Sequence, residues 1–261
     1  MLVNDRRKRG SLLMIRYIWF DLGLTLVGNN HAAIYQKVLA DLRVKKEINE
    51  VECAYHLANK YFMREHRGCL GKKEGVRGYL EKLMEYLQLG RETQRFLIGM
   101  EQENPSVCWR KFPFTDGVLN RLHQRGIKTG LISNWDHSCR RVLEENGLLS
   151  LMDTVVISSE AGYEKPDRRI FERALLLAGV EPSECLYVGD NYYDDAVGAS
   201  AVGMRTLLIN PPGRLGIEEL KFPDVIESIQ DVERYLDTGK QSPIGQLPVT
   251  TNCNSSDGSS S

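Results

Sequence analysis

The most constraining feature of the chain is a short apolar run that ends in a carboxylate. The run from Ile15 to Phe20 predicts a strand with little alternation, as expected where both faces of a strand are covered. Asp21 follows directly, and Gly23 and Thr25 come next. An open α/β sheet usually places its ligand chemistry at the carboxyl end of such a strand. Asp21 is therefore a candidate for metal binding, for nucleophilic attack or for capping a following helix.

The second half of the chain alternates between predicted strands and predicted helices. The predicted strands are 127–132, 154–157, 185–188 and 205–209, and the predicted helices are 118–125, 140–146, 167–178 and one from 194 or 195 to 203, with a strand-and-helix fragment at 226–236. Strands that alternate with helices of this length indicate βαβ units. We therefore expect an α/β fold, a doubly wound parallel sheet with helices on both faces.

Helical periodicity dominates the stretch between the first strand and this region. Apolar residues such as Ile34, Val38 and Leu42 recur every four residues, after a turn predicted at 28–30. This pattern predicts a small all-helical domain inserted into the α/β core. The predicted organisation is a flexible leader 1–13, a core of 14–28 and 111–237, a helical domain 29–110 and a disordered tail 238–261 rich in Ser and Gly.

Composition narrows the classes of protein that need to be considered. Charged residues make up 26% of the chain and the net charge is −1, which argues against nucleic-acid binding. Six cysteines lie scattered without close pairs, as in proteins of a reducing compartment. No stretch approaches the roughly 20 apolar residues of a membrane span, and Arg16 interrupts the apolar run near the start, so we expect no signal peptide. We expect a cytoplasmic protein that binds neither nucleic acid nor membranes; its oligomeric state stays open.

Four strand or loop ends carry polar side chains that could meet at one edge of the sheet. Singly, Ser133 could be a loop hydroxyl, Lys165 a surface lysine and Asp190 a turn residue. Jointly, Asp21 and Asp190 offer the oxygen ligands that Mg²⁺ prefers. Asp21 is also a competent nucleophile toward phosphorus, and Lys165 supplies a positive charge beside it. Ser133 and the amide of Asn134 can donate hydrogen bonds to a phosphoryl oxygen.

The stretches around these residues resemble the four motifs of the haloacid dehalogenase superfamily. The matching stretches are Asp21 to Leu26, Leu131 to Asn134, Glu164 to Phe171 and Val188 to Asp195. The resemblance covers about residues 14–212 and implies a Rossmann-like core with five central parallel strands. The helical insertion resembles the family's cap, which closes over the active site.

The resemblance also implies a role for each matching residue. Catalysis would fall to Asp21 as nucleophile together with Ser133 and Lys165. The expected cofactor is Mg²⁺, and the predicted metal ligands are Asp21, the backbone carbonyl of Gly23, Asp190 and Asp195. The predicted substrate-binding residues are Thr25, Ser133, Asn134 and Lys165.

The chain departs from the family pattern at Gly23, where phosphatases of the family usually carry a second Asp that acts as general acid and base. The lost proton transfer is typically worth about 10²- to 10⁴-fold in rate. The leaving group could need no proton, a residue of the helical domain such as His31 or His66 could replace the acid, or water could serve slowly.

Three functions fit these observations. The first is a Mg²⁺-dependent phosphatase of a small phosphorylated metabolite, which forms an aspartyl-phosphate at Asp21. The second is a metal-independent 2-haloacid dehalogenase, which needs no acid at Gly23. Asp190 argues against it, because the family's dehalogenases work without metal and lack the Gly-Asp pair that this chain has at 189–190. The third is a weakly active protein that binds a phosphorylated ligand. The substrate itself cannot be read from the sequence.

Overall fold

The computed structural model describes residues 15–103 and 105–238. The predicted leader 1–13 and all of the predicted tail after Thr238 lie outside the described residues. Within them, a parallel sheet has the strand order β5-β4-β1-β6-β7-β8, and a separate antiparallel ribbon pairs β2 with β3. The strands are β1 (Tyr17–Phe20), β2 (Val27–Asn29), β3 (Trp109–Lys111), β4 (Lys128–Ser133), β5 (Thr154–Ile157), β6 (Cys185–Gly189), β7 (Arg205–Ile209) and β8 (Val225–Ile226).

The predicted α/β fold is confirmed, because every pair of neighbours in the larger sheet is parallel and helices join the strands. The helices are α1 (His31–Asp41), α2 (Ile48–Glu65), α3 (Val76–Tyr86), α4 (Thr93–Glu103), α5 (Thr115–Gln124), α6 (Cys139–Glu145), α7 (Ser158–Ala161), α8 (Arg168–Ala178), α9 (Val197–Ala201) and α10 (Val232–Thr238). A single π-helical turn, Tyr192–Ala196, precedes α9, where the sequence predicts one continuous helix.

The predicted turn at 28–30 is wrong. Gly28 and Asn29 belong to β2, where they pair with Arg110 and Trp109 of β3. A turn signal based on Gly and Asn failed here because pairing with a strand some 80 residues away overrides local preference. The ribbon joins the core to α1–α4, so it crosses the predicted boundaries at residues 28 and 111. The division into domains stays a prediction.

Two apolar layers cover the two faces of the sheet, and α1–α4 have an apolar cluster of their own. Ile18 and Phe20 pack on one face of the sheet, whereas Tyr17 and Trp19 pack on the other. Because β1 is central and covered on both faces, the packing of the sheet determines where its carboxyl end places Asp21. The cluster within α1–α4 includes Leu39, Leu83 and Phe96, and we call residues 31–103 the helical segment.

None of the helices within the described residues combines the length and the apolar character that crossing a membrane requires.

Candidate active site

The predicted site residues meet at the carboxyl edge of the sheet. Asp21 follows β1 and Asp190 follows β6, while Ser133 is the last residue of β4. These strands are neighbours, with Phe20 paired to both Leu131 and Val188. Residues far apart in the sequence are thereby brought together.

A tight turn directs the chain away from Asp21. The amide of Leu26 donates to the carbonyl of Leu22 at 2.9 Å, and the amide of Leu24 donates to the carbonyl of Val27 at 2.7 Å. Leu24 takes a φ of 55°, a left-handed conformation that is uncommon for a side chain of this size. These hydrogen bonds hold the turn in spite of that strain and fix the backbone beside Asp21.

Asp21 accepts two hydrogen bonds on one carboxylate oxygen. Ser133 Oγ donates to Asp21 Oδ1 at 2.8 Å, and Lys165 Nζ donates to the same atom at 2.9 Å. The side chain of Asp21 is 14% exposed, so a small molecule can reach it. Burial raises the pKa of Asp21, while the charge of Lys165 opposes that rise. An ionised Asp21 therefore depends on the neighbouring ammonium.

Lys165 forms a buried network that connects three side chains. Its Nζ donates to Asp195 Oδ1 at 2.6 Å and to the hydroxyl of Tyr187 at 3.0 Å, besides Asp21. Burial lowers the pKa of Lys165, but Asp195 and Asp21 outweigh burial and raise it well above its ordinary value. Lys165 therefore carries a permanent positive charge next to Asp21.

Asn134 holds the loop that carries Lys165. Its Nδ2 donates to the Lys165 carbonyl at 2.9 Å, and the Lys165 amide donates to Asn134 Oδ1 at 2.7 Å. The side-chain amide is thereby occupied, so its predicted contact with substrate would fall to the backbone. Thr25 is buried, and its hydroxyl has no hydrogen-bond partner among the described residues. Substrate binding by both residues stays a prediction.

The site offers three carboxylates to a divalent cation. Oxygens of Asp21, Asp190 and Asp195 lie within 4.8 Å of one another. Burial raises the pKa of Asp190 to about 6, and nearby Asp195 and Asp21 act in the same direction. A cation such as Mg²⁺ would relieve this repulsion, and oxygen donors are the ligands it prefers. The donor set therefore fits Mg²⁺.

Asp195 is a predicted metal ligand, and it also holds the neighbouring groups of the site in place through hydrogen bonds. Its Oδ1 accepts hydrogen bonds from both Lys165 and Tyr187, and its Oδ2 accepts one from the amide of Asn191 at 2.9 Å. It reaches this position only because residue 189 is glycine. A Cβ on Gly189 would lie 2.2 Å from Asp195 Oδ2.

Two tryptophans lie where a side chain at position 23 would point. A Cβ on Gly23 would lie 3.4 Å from the ring of Trp135 and 3.6 Å from that of Trp109. The two rings pack edge to face, with centroids 4.8 Å apart. Trp109 enters the site through β3 of the ribbon, which the sequence did not predict.

The two histidines proposed as substitutes for the missing acid differ in their surroundings. His31 stacks against Tyr35 and Tyr55, and burial lowers its pKa to about 4. Such a histidine is neutral at pH 7, which weighs against a role as general acid. His66 is exposed at the end of α2 and packs on Phe62.

Sequence reasoning missed one charged residue at the site. Lys60, in the C-terminal half of α2, donates from Nζ to the backbone carbonyl of Asp190 at 2.5 Å and lies 3.5 Å from its Oδ2. It lies one helical turn after His56, whose Nε2 is 3.0 Å from the carbonyl of Leu215 in the core. The contacts of these two residues show which face of α2 meets the core. Nothing in the sequence identifies that face.

Comparisons with known proteins identify relatives of the chain. The chain is 40% identical over 109 residues to haloacid dehalogenase-like hydrolase domain-containing protein 3 of Bos taurus, which covers 42% of this chain and 43% of that protein. It thus spans less than half the length of the first curated relatives. It is also 27% identical over 225 residues to the pyrimidine 5'-nucleotidase YjjG of Escherichia coli, covering 84% of this chain and 97% of that protein.

A solved structure extends the likeness across the fold. The HAD-hydrolase YfnB of Bacillus subtilis, bound to magnesium, matches with a TM-score of 0.58 at 17% identity, over 86% of this chain and 99% of that one. The model of the haloacid dehalogenase-like hydrolase family matches residues 15–203, which is well over half of the sequence. The chain therefore belongs to the haloacid dehalogenase-like hydrolases.

Proposed function

We propose that this hydrolase is a Mg²⁺-dependent phosphatase that acts on a small phosphorylated metabolite through an aspartyl-phosphate at Asp21. The observation that carries the proposal is the pairing of Asp21 with Lys165 inside a group of three carboxylates. The relative YjjG, named as a nucleotidase, supports phosphate-ester chemistry. Asp190 argues against the dehalogenase alternative, because an acidic metal site has no task in direct halide displacement.

Each residue of the site has a defined part in the proposed reaction. Ser133 and Lys165 hold Asp21 Oδ1, which leaves Oδ2 to attack phosphorus. Lys165 also offsets the negative charge that builds up as the phosphoryl group is transferred. The phosphorus–oxygen bond to the leaving group breaks, and water then hydrolyses the aspartyl-phosphate to release phosphate and restore Asp21.

The proposed metal ligands are Asp21, Asp190, Asp195 and the carbonyl of Gly23. Bound there, Mg²⁺ would neutralise negative charge on the phosphoryl oxygens. The proton that the leaving group requires has no obvious donor at Gly23. We therefore expect substrates with good leaving groups to react fastest.

The test compares wild type, Asp21→Asn and the surface control Asp41→Asn on p-nitrophenyl phosphate. We expect Asp21→Asn to lose activity by about 10³-fold or more, because the nucleophile is gone, and Asp41→Asn to match wild type. A chelator should abolish wild-type turnover, and acid-quenched wild type should carry the mass of one phosphoryl group.

Three outcomes would overturn the proposal. Unchanged turnover by Asp21→Asn would exclude Asp21 as the nucleophile. Release of halide from 2-chloropropionate in the presence of chelator would establish the dehalogenase instead. Binding of phosphorylated compounds without turnover would favour the third reading, a weakly active binding protein.

A further inference from the structure

The helical segment inserts a buried positive charge into the site. The side chain of Lys60 is 5% exposed and that of Asp190 is 8% exposed. A buried lysine requires a partner, because desolvation disfavours its charged form. Its polar contacts within the described residues are with Asp190 and the sulfur of Met63, which lies 3.8 Å away.

The partner of Lys60 is one of the proposed metal ligands. Lys165 pairs with both Asp21 and Asp195 from the core side of the site, whereas Lys60 approaches Asp190 from α2. The Lys60 ammonium lies 3.5 Å from Asp190 Oδ2, and both side chains are buried, so little solvent screens the attraction between the two charges. Lys60 thus stabilises the ionised carboxylate in the manner that a bound cation would.

We propose that Lys60 competes with the divalent cation for Asp190, so that the helical segment sets the metal affinity of the site. This inference rests on the proposed function, since it takes Asp190 as a metal ligand. Two cations on one buried carboxylate repel each other strongly, because the interior screens charge poorly. Metal binding therefore requires the ammonium of Lys60 to move away from Asp190 Oδ2, and it weakens this contact between α2 and the core.

Two other ion pairs between the helical segment and the core, among the residues that the structure describes, do not involve the carboxylates of the site. Lys72 Nζ lies 3.1 Å from Glu164 Oε2, and Arg64 Nη1 lies 3.3 Å from Glu219 Oε1. The Lys60–Asp190 and Lys72–Glu164 pairs both bridge the helical segment and the core. Of these two lysines, Lys60 contacts a proposed metal ligand and Lys72 does not. Lys72 therefore provides a matched control for the removal of one ion pair between the segment and the core.

The test measures binding of the metal alone in the absence of substrate. Mg²⁺ is titrated by calorimetry, and Mn²⁺ by electron paramagnetic resonance, into wild type, Lys60→Met and Lys72→Met. We expect Lys60→Met to bind both ions about tenfold more tightly or better, since a repelling charge is lost at close range. Lys72→Met should stay within about twofold of wild type, because exposed ion pairs contribute little.

Equal or weaker metal binding by Lys60→Met would overturn the inference, because a purely structural or supporting lysine would give that result. An equal gain in Lys72→Met would also overturn it, since the effect would then come from loosening of the segment. Lys60→Gln replaces Lys60→Met should the latter fail to fold.

Asp190→Asn separates this inference from the proposed function. If Asp190→Asn loses metal binding while Lys60→Met keeps the metal affinity of wild type, the inference is wrong and the proposed function stands. Wild-type binding by Asp190→Asn, or no saturable binding by wild type, would overturn both.

Discussion

The ammonium of Lys165 lies 2.6 Å from Oδ1 of Asp195, and less than 4% of either side chain is exposed to solvent. Tyr187 donates to the same oxygen at 3.0 Å. Asp195 thereby fixes Lys165 beside Asp21, so that the positive charge has a defined position before substrate arrives. Preorganised charge of this kind costs no reorganisation during the reaction.

Replacement of Lys165 by Met should impair both activity and stability. The variant leaves the Asp195 carboxylate buried without its cation, which should cost about 3–5 kcal/mol of unfolding free energy. Turnover should fall by about 10²- to 10³-fold, because the charge beside Asp21 is lost. Urea denaturation and steady-state kinetics measure the two effects. The exposed Lys128→Met serves as control, and wild-type kinetics in Lys165→Met would contradict the assignment.

A methyl group at Gly189 should displace Asp195. The Cβ of an alanine would overlap the carboxylate, so the Gly189→Ala variant should lose about 1–3 kcal/mol of stability and most of its activity. Gly78→Ala is the matched control. Its Cβ would meet only Phe62, at 3.6 Å, and alanine is favoured over glycine in a helix. If both variants unfold at the same urea concentration, the close approach of Asp195 to Gly189 does not contribute to stability, and the prediction is wrong.

Introduction of an acid at Gly23 should help poor leaving groups. The space beside Trp109 and Trp135 accepts a Cβ at ordinary contact distance, so Gly23→Asp and Gly23→Ala should both fold. We expect Gly23→Asp to raise turnover of alkyl phosphates by about tenfold or more, because it restores a proton donor, and to change aryl phosphates less. Gly23→Ala should give no gain on either substrate. If wild type turns over alkyl phosphates as fast as Gly23→Asp does, another residue must supply the proton.

Acid should destabilise the protein through His31. Burial lowers the pKa of His31 to about 4 in the folded protein, whereas the pKa of a histidine in the unfolded chain is near 6.5. As the pH falls, the unfolded state therefore takes up the proton first, and unfolding becomes more favourable. His31 alone should cost about 2 kcal/mol of unfolding free energy between pH 7 and pH 5. His56, with a pKa also lowered to about 4 chiefly by burial, adds a similar loss.

The variant His31→Phe isolates this contribution. It keeps an aromatic ring between Tyr35 and Tyr55 and removes the titrating group. Its urea midpoint should therefore fall less than that of wild type between pH 7 and pH 5. Parallel curves for the two proteins would contradict the assigned pKa shift.

Much of the core fold was predictable because it follows from local pattern. The central strand β1 and its neighbours β4 and β6 are apolar runs, and the polar residues that follow them had to gather at one edge of a parallel sheet. The ribbon of β2 and β3 was missed. Its strands are three residues each and pair across the whole helical segment, so no local signal marks them.

The sequence by itself determined the α/β sheet, the helical character of 31–103, and the meeting of Asp21, Ser133 and Asp190 at the strand ends. The alternation of strands and helices along the chain and the periodicity of apolar residues suffice for these, because both depend on where apolar residues recur in the sequence. The tertiary structure alone decided that Lys60 contacts Asp190 and that Tyr187 contacts Lys165. Each of these contacts depends on the packing of one element against another, and a lysine in a helix or a tyrosine in a strand looks the same in the sequence whichever partner it meets.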